Sequence, residues 1–192
     1  MAATQGQQVF RATSSRLSLN KMEVGVERPI LMIMQGLPGS GKTKIAMQYV
    51  ERGYQLVQKD CLRYAFDIDK NWNGWSEELE RKVNEAAKLQ LNGLMRLGLN
   101  IVVDETNTKM EKFDVYCALA YLFHYNVVVH RVDTPVSLCK ERRLPNGFPD
   151  HVIDRINSNL DMFKRVIDPM IHDYEVGLRI SSVTEEGVSD YV

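Results

Sequence analysis

The sequence predicts an α/β protein in which a mostly parallel sheet is covered by helices on both faces. From Pro29 onward, short apolar runs alternate with helical patterns, which is the order of elements in βαβ units. The chain has 192 residues, 44% of them hydrophobic and 26% charged, so one domain of this class can bury a full core.

Each element has its own signal. The strands are predicted from short apolar runs at residues 29–34, 53–58, 100–107 and 126–133. The helices are predicted from apolar residues at helical spacing over residues 42–50, 77–97, 109–124 and 150–167, with a short helix or turn after 53–58 and another helix after Pro135. Ser76 is the predicted N-cap of the longest helix, because glutamates follow it in the first turn. The residues after Pro169 have only a weak pattern.

One segment, residues 1–29, differs in composition from the rest of the chain. Residues 1–29 are rich in Gln, Ser, Thr and Ala and have little periodicity, so we expect a flexible tail before a single domain over residues 30–192. A transit-peptide-like segment and an arm that contacts nucleic acid are the alternatives for this tail.

The cellular setting is predicted from cysteine content and charge. Cys61, Cys117 and Cys139 are odd in number and far apart, which indicates a reducing, intracellular and cytoplasmic setting without a disulfide framework. No apolar run is long enough for a transmembrane helix, so we expect no membrane partner. The net charge of −1 disfavours nonspecific coating of duplex DNA, but it is compatible with a local basic groove.

Residues 36–43 read GLPGSGKT and fit the phosphate-binding pattern GxxxxGK[ST], between an apolar strand and a helix as the pattern requires. The glycines let backbone N–H groups surround phosphate oxygens, the lysine reaches the β- and γ-phosphates, and the hydroxyl binds Mg²⁺. The predicted cofactors are therefore ATP and Mg²⁺. The predicted nucleotide-binding residues are Gly36, Pro38, Gly39, Ser40, Gly41, Lys42 and Thr43, with Thr43 also a metal ligand.

Aspartates follow three of the predicted strands, at positions Asp60, Asp104 and Asp133. Ligands of open α/β sheets bind beyond the carboxyl ends of the strands, so these acids should share an edge with the phosphate loop. Phosphoryl transfer to an alcohol needs a carboxylate for the hydroxyl proton and cations over the transferred group. Arg142 and Arg143, beside the breaker-rich loop 144–149, can each supply such a cation as the arginine of a lid over the donor phosphates. The catalytic role is favoured for Arg142, and Arg143 is expected to be solvated.

Asp60 and Arg63 lie three positions apart in KDCLR and admit three interpretations. A ribose contact of a dinucleotide-binding fold is disfavoured, because the glycine loop is not GxGxxG. An exposed ion pair within one helix remains an alternative to an active-site pair.

The motifs GLPGSGKT, KDCLR, VVDETN and CKERR together resemble the kinase domain of the bacteriophage polynucleotide 5′-kinase family, over roughly residues 30–165. The resemblance implies a three-layer P-loop NTPase fold of the adenylate-kinase type with a short lid. It implies that Asp60 is the general base, that Arg63 binds the phosphate next to the acceptor hydroxyl, and that Lys42 and Arg142 act catalytically on the donor phosphates. It also implies substrate contacts by Asp104 and Asn107 and a metal contact by Asp104.

The chain departs from the family pattern at several positions. Glu105 is an extra residue before Thr106 and Asn107, Cys61 stands where the family often has a second acid, and Arg143 replaces an asparagine. No phosphatase signature is present, so the resemblance implies a kinase module alone.

These observations predict an ATP-dependent kinase that phosphorylates a hydroxyl of DNA or RNA, with a 5′-hydroxyl end as the preferred acceptor. Three alternatives remain: a kinase for hydroxymethyl pyrimidines such as 5-hydroxymethyluracil within DNA, a kinase for a nucleoside, sugar or antibiotic, and a nucleotide-regulated binding module. A GTPase is disfavoured, because the sequence has no NKxD motif.

Overall fold

The computed structural model describes residues 28–69, 73–143, 148–171, 176–184 and 187–191. Its strands are β1 (Ile30–Gln35), β2 (Gln55–Val57), β3 (Ile101–Asp104), β4 (Asn126–Asp133), β5 (Val176–Thr184) and β6 (Gly187–Tyr191). Its helices are α1 (Lys42–Glu51), α2 (Lys59–Ala65), α3 (Glu77–Arg96), α4 (Met110–Phe123), α5 (Val136–Arg143) and α6 (Asp150–Val166), followed by a 3₁₀ turn at Asp168–Met170. Most of the predicted tail, residues 1–27, lies outside the described residues.

The strands form one sheet in the order β2-β3-β1-β4-β5-β6. The first five of these strands run parallel, and β6 pairs with β5 in the antiparallel direction. In this sheet β1 lies between β3 and β4, with Met34 opposite Asp104 and Gln35 opposite Arg131. The chain therefore leaves β1 at the point where the strand order reverses, which is where open α/β sheets bind ligands.

Helices cover both faces of the sheet, because alternate side chains of β1 point to opposite faces and are buried on each. Leu31 and Ile33 pack into a core with residues of α3, α4 and α6, whereas Met32 and Met34 pack against α1 on the opposite face. This alternation follows from the period of two along a strand. The predicted three-layer P-loop NTPase fold is confirmed. Ser76 is the N-cap of α3, as predicted, and its hydroxyl accepts a hydrogen bond from the Leu79 amide at 3.2 Å.

Several boundaries differ from the prediction. β3 ends at Asp104 rather than at residue 107, and Asn107 itself adopts a left-handed conformation with φ of 46°, which does not belong to a strand. Strands β5 and β6 were not predicted, since Gly177 and Ser181 interrupt the apolar pattern of β5 and strand propensity is low for glycine. None of the helices in the described part of the chain is long and apolar enough to cross a membrane.

Candidate active site

The phosphate loop connects β1 to α1 and is shaped by glycines with positive φ. Gly36 has φ of 148° and Gly39 has φ of 85°. A Cβ atom on Gly36 would lie 2.7 Å from the Val132 carbonyl oxygen, and one on Gly39 would lie 2.8 Å from the Cys139 carbonyl oxygen. Side chains at these two positions would therefore clash with backbone atoms of β4 and α5, so only glycine fits there.

Lys42 is the first residue of α1 and lies inside the loop, with 8% of its surface exposed. Its Nζ donates a hydrogen bond to the Leu37 carbonyl oxygen at 2.7 Å. Burial lowers the pKa of Lys42 to about 8, although the nearby carboxylates of Asp104 and Asp60 act in the opposite direction. Burial disfavours the charged ammonium form of Lys42. A phosphate anion in the loop would stabilise that form, because its charge is opposite.

Asp104 ends β3 next to the loop and is buried. Its Oδ2 accepts a hydrogen bond from Gln58 Nε2 at 2.8 Å, and its carboxylate also accepts one from the Thr43 hydroxyl. Burial raises the pKa of Asp104, while Thr43 and Lys42 partly offset this effect. The predicted pair of Thr43 and Asp104 is thus brought together by the fold.

The donor set of this pair fits a magnesium ion. Mg²⁺ prefers oxygen ligands and is usually held by one or two carboxylates together with substrate phosphates. Thr43 and Asp104 supply a hydroxyl and a carboxylate, and no group of three or more His, Cys, Asp or Glu side chains among the described residues could hold a metal alone. The oxygen donors therefore fit an ion that is shared with the phosphates of a nucleotide.

Asn107 is buried and its side chain is engaged within the protein. Its Nδ2 donates to the Met34 carbonyl oxygen at 2.7 Å, and its Oδ1 accepts from the Tyr116 hydroxyl at 3.4 Å. Its backbone carbonyl accepts from Gln35 Nε2 at 2.9 Å. These bonds tie the segment after β3 to the end of β1, and the substrate contact of Asn107 stays a prediction.

Asp60 and Arg63 form the ion pair that was the alternative interpretation, but a third residue extends it. Arg63 Nη1 donates to Asp60 Oδ1 at 2.6 Å. Its Nε and Nη2 donate to the two carboxylate oxygens of Glu80 on α3, at 3.0 and 2.6 Å. Burial alone would raise the pKa of Glu80, but Arg63 and Lys59 lower it overall. Glu80 was missed in the sequence because it lies 17 positions from Arg63 on another helix.

Asp60 lies close to the phosphate loop. Its charge contributes to the pKa of both Lys42 and Asp104, and Gln58, which binds Asp104, directly precedes α2. Asp60 is exposed over 62% of its side chain, so a ligand can reach its carboxylate. The fold therefore brings the predicted base to the same end of the sheet as the predicted phosphate site.

Two arginines at the end of α5 lie against the phosphate loop. Arg142 Nη1 donates to the Gly39 carbonyl oxygen at 3.2 Å. The Cγ atom of Arg143 lies 3.3 Å from the position of a Cβ on Gly39, and its guanidinium lies 5.4 Å from the centre of the Phe148 ring. Arg143 Nε is buried and has no hydrogen-bond partner among the described residues. The expectation that Arg143 is solvated is therefore wrong, because its side chain packs between the loop and Phe148.

Arg131 is a buried cation that was not assigned a role from the sequence. It is 2% exposed, and its Nη1 and Nη2 donate to the two carboxylate oxygens of Asp168, each at 2.7 Å. Its Nε donates to Gln35 Oε1 at 2.7 Å. This arginine thus connects the last residue of β1, from which the phosphate loop begins, to the turn that follows α6.

A family model described as "AAA domain" matches residues 31–169 of the chain. Among curated proteins, the 2′,3′-cyclic-nucleotide 3′-phosphodiesterase of Rattus norvegicus is 32% identical over 103 residues, which make up 52% of this chain and 23% of that protein.

Two groups of solved structures share the fold. The AvrRxo1-ORF1:-ORF2 complex with ATP has a TM-score of 0.67 at 20% identity, over 85% of this chain and 57% of that chain. The Pnkp1/Rnl/Hen1 RNA repair complex has a TM-score of 0.62 at 20% identity, over 71% of this chain and 45% of that chain. The chain thus spans less than two thirds of each of these proteins. The relation to bacteriophage polynucleotide kinases stays a prediction.

Proposed function

The chain belongs to the AAA domain family, and we propose that it is an ATP-dependent kinase. In this proposal it transfers the γ-phosphate to a hydroxyl of a nucleic acid, preferably a 5′-hydroxyl end. The observation that carries the proposal is the placement of Asp60. An exposed carboxylate stands two positions after Gln58, whose side chain binds Asp104 beside the phosphate loop at 2.8 Å. The pairing of a base with a phosphate-binding cation is what phosphoryl transfer to an alcohol requires.

A nucleic-acid acceptor is supported by two further observations. The motifs KDCLR, VVDETN and CKERR resemble, in their order along the chain, those of polynucleotide 5′-kinases. The curated relative is named for action on 2′,3′-cyclic nucleotides, and one structural neighbour belongs to an RNA repair complex. Kinases for hydroxymethyl pyrimidines in DNA or for small alcohols would use the same pair of groups, so they remain the alternatives.

In the proposed reaction, Asp60 takes up the proton of the acceptor hydroxyl. Arg63 holds one oxygen of the Asp60 carboxylate, and the other oxygen accepts the proton of the acceptor hydroxyl. The hydroxyl oxygen then forms a bond to the γ-phosphorus while the bond to the leaving ADP oxygen breaks. Lys42 and the arginines at Gly39 balance negative charge on the transferred group. When bound by Thr43 and Asp104, Mg²⁺ supplies further positive charge at the donor phosphates.

The proposal is tested by offering [γ-³²P]ATP with 5′-hydroxyl oligonucleotides, 5-hydroxymethyluracil duplex DNA and free nucleosides in parallel reactions. We expect label on the 5′ ends of the oligonucleotides. Label on nucleosides alone, or on internal bases alone, would instead establish one of the alternative kinases. ATP binding without label on any acceptor would favour the binding module.

ATP binding is expected to weaken as the pH rises above about 8, because Lys42 loses its proton in that range. Below this pH the ammonium group is charged and attracts the phosphates, and above it the attraction is lost. Calorimetric titrations at several pH values between 7 and 9 measure the effect. In the Lys42→Arg variant the guanidinium stays charged, so its affinity should be independent of pH over this range. An equal pH dependence in both proteins would contradict the prediction.

Arg142→Ala and Arg143→Ala are each expected to lower kcat, by about 10²- to 10³-fold if the lost group contacts the transition state directly. Both side chains lie against Gly39 in the phosphate loop, where a cation can balance charge on the transferred group. Steady-state rates with saturating ATP measure the effect. Arg155→Ala, an exposed arginine on α6, is the control and should keep the wild-type rate. An unchanged rate in Arg143→Ala would leave Arg142 as the lid arginine.

A further inference from the structure

Helix α2 carries Asp60 but is not anchored by a hydrophobic core. None of its residues, from Lys59 to Ala65, is buried, and Tyr64 is among the exposed large side chains. Apolar burial is the usual source of stability for a short helix, since isolated helices of this length are marginal in water. The position of α2 must therefore depend mainly on its polar contacts.

Two carboxylates from other parts of the chain supply these contacts. Glu80 on α3 binds the Nε and Nη2 of Arg63 as described above. Glu105, the residue that is extra relative to the family pattern, accepts a hydrogen bond from the Lys59 backbone amide at 3.2 Å and pairs with Lys59 Nζ at 3.1 Å. Lys59 Nζ also lies 3.8 Å from Glu80. Because Lys59 N is the first amide of α2, Glu105 satisfies a donor that the helix leaves unpaired.

Opposite charges alternate along this cluster. Its order is Glu105, Lys59, Glu80, Arg63 and Asp60, so each inner side chain has an opposite charge on both sides. Except for Asp60, these side chains are only 13% to 21% exposed. By contrast, the pairs Glu78–Lys82 and Glu85–Lys88 on α3 are 50% to 67% exposed. Networks of shielded pairs hold their geometry better than isolated surface pairs, which contribute little.

We propose that Glu80 and Glu105 are positioning residues that hold α2, and through Arg63 the carboxylate of Asp60, in the geometry that accepts the hydroxyl proton. This inference rests on the proposed function in assigning Asp60 as the base. It changes the role implied for Arg63. Since Glu80 occupies its Nε and Nη2, Arg63 orients the base instead of binding a phosphate of the acceptor, as a base in a catalytic triad is oriented by a third group.

The kinetic test compares Glu80→Gln and Glu105→Gln with Glu78→Gln and Glu85→Gln, which remove surface carboxylates from the same region. We expect the first two variants to lose about 10- to 100-fold in kcat, because small displacements of a catalytic group are costly, with KM values for ATP and acceptor unchanged. The two control variants should keep the wild-type kcat. An unchanged kcat in Glu80→Gln, together with a lower KM for a phosphate-bearing acceptor, would overturn the proposal, since it would show that Glu80 competes with substrate for Arg63.

A second measurement does not depend on activity. Hydrogen exchange of the full chain should be faster at the α2 amides in Glu80→Gln and Glu105→Gln than in wild type, and unchanged in Glu78→Gln. Wild-type exchange rates at α2 in both variants would overturn the inference, whatever the acceptor. A wild-type protein that labels no acceptor, while the exchange pattern is as expected, would instead refute the proposed function and leave the anchoring of α2 intact.

Discussion

Replacing Asp60 with asparagine is expected to slow phosphoryl transfer about 10²- to 10⁴-fold, which is the range for loss of a general base. Asparagine has nearly the same shape, but it cannot take up the proton of the acceptor hydroxyl. The substitution should leave ATP affinity close to wild type, because the residues proposed to bind the donor phosphates, Lys42 and Thr43, are unchanged. It should also leave the melting temperature nearly unchanged, since the Asp60 side chain is mostly exposed and makes no contact with the core.

The measurement is a single-turnover rate with saturating ATP, together with a thermal unfolding curve. Asp114→Asn removes an exposed aspartate from α4 and is the matched control, with a rate equal to wild type expected. A rate in Asp60→Asn within about twofold of wild type would remove the base assignment, because a general base typically contributes about 10²- to 10⁴-fold. The proton would then have to pass to another acceptor.

Replacing Asp168 with asparagine is expected to lower the free energy of unfolding by about 3–5 kcal/mol, the range for breaking a buried ion pair from one side. Arg131 would keep its charge at 2% exposure without its carboxylate partner. The converse substitution, Arg131→Met, should cost less, because Asp168 is 27% exposed and water can solvate it. A larger loss of unfolding free energy in Asp168→Asn than in Arg131→Met would show that the cost comes from leaving a buried charge unpaired. A simple loss of the contact would cost the same in both variants.

Urea unfolding at neutral pH measures both variants. Asp154→Asn provides the control, since it breaks an exposed pair with Lys140 and should cost only about 0–1 kcal/mol. Equal losses in Asp168→Asn and Arg131→Met would contradict the argument from burial. A loss in Asp168→Asn no larger than in the control would show that Arg131 is readily hydrated in the folded protein.

The phosphate loop and the layered sheet could be predicted from the sequence because their signals are local. GLPGSGKT is continuous, and its glycines and lysine must follow one strand and start one helix. The parallel strands β1, β3 and β4 appear as apolar runs because both of their faces are buried. β5 has a parallel neighbour, β4, on one side only, and its other neighbour is the antiparallel strand β6. Its glycine and serines also weaken the apolar pattern.

The partners of the acceptor-side residues could not be predicted, because they depend on tertiary contacts. The spacing of three residues links Asp60 to Arg63, but no spacing rule links Arg63 to Glu80 across two helices. The extra residue Glu105 was visible only as a departure from a pattern, and its contact with Lys59 depends on β3 lying beside β2. The difference between Arg142 and Arg143 similarly depends on the direction in which α5 meets the loop.

The close approach of Gly39 to the Cys139 carbonyl oxygen restricts which substitutions the phosphate loop can accept during evolution. The two positions are 100 residues apart, yet a side chain at position 39 requires α5 to withdraw. Sequence changes in the phosphate loop are thus coupled to changes in α5, and neither segment can be exchanged between relatives on its own. Chimeras that graft a foreign α5 onto this chain should retain function only when the phosphate loop is transferred with it.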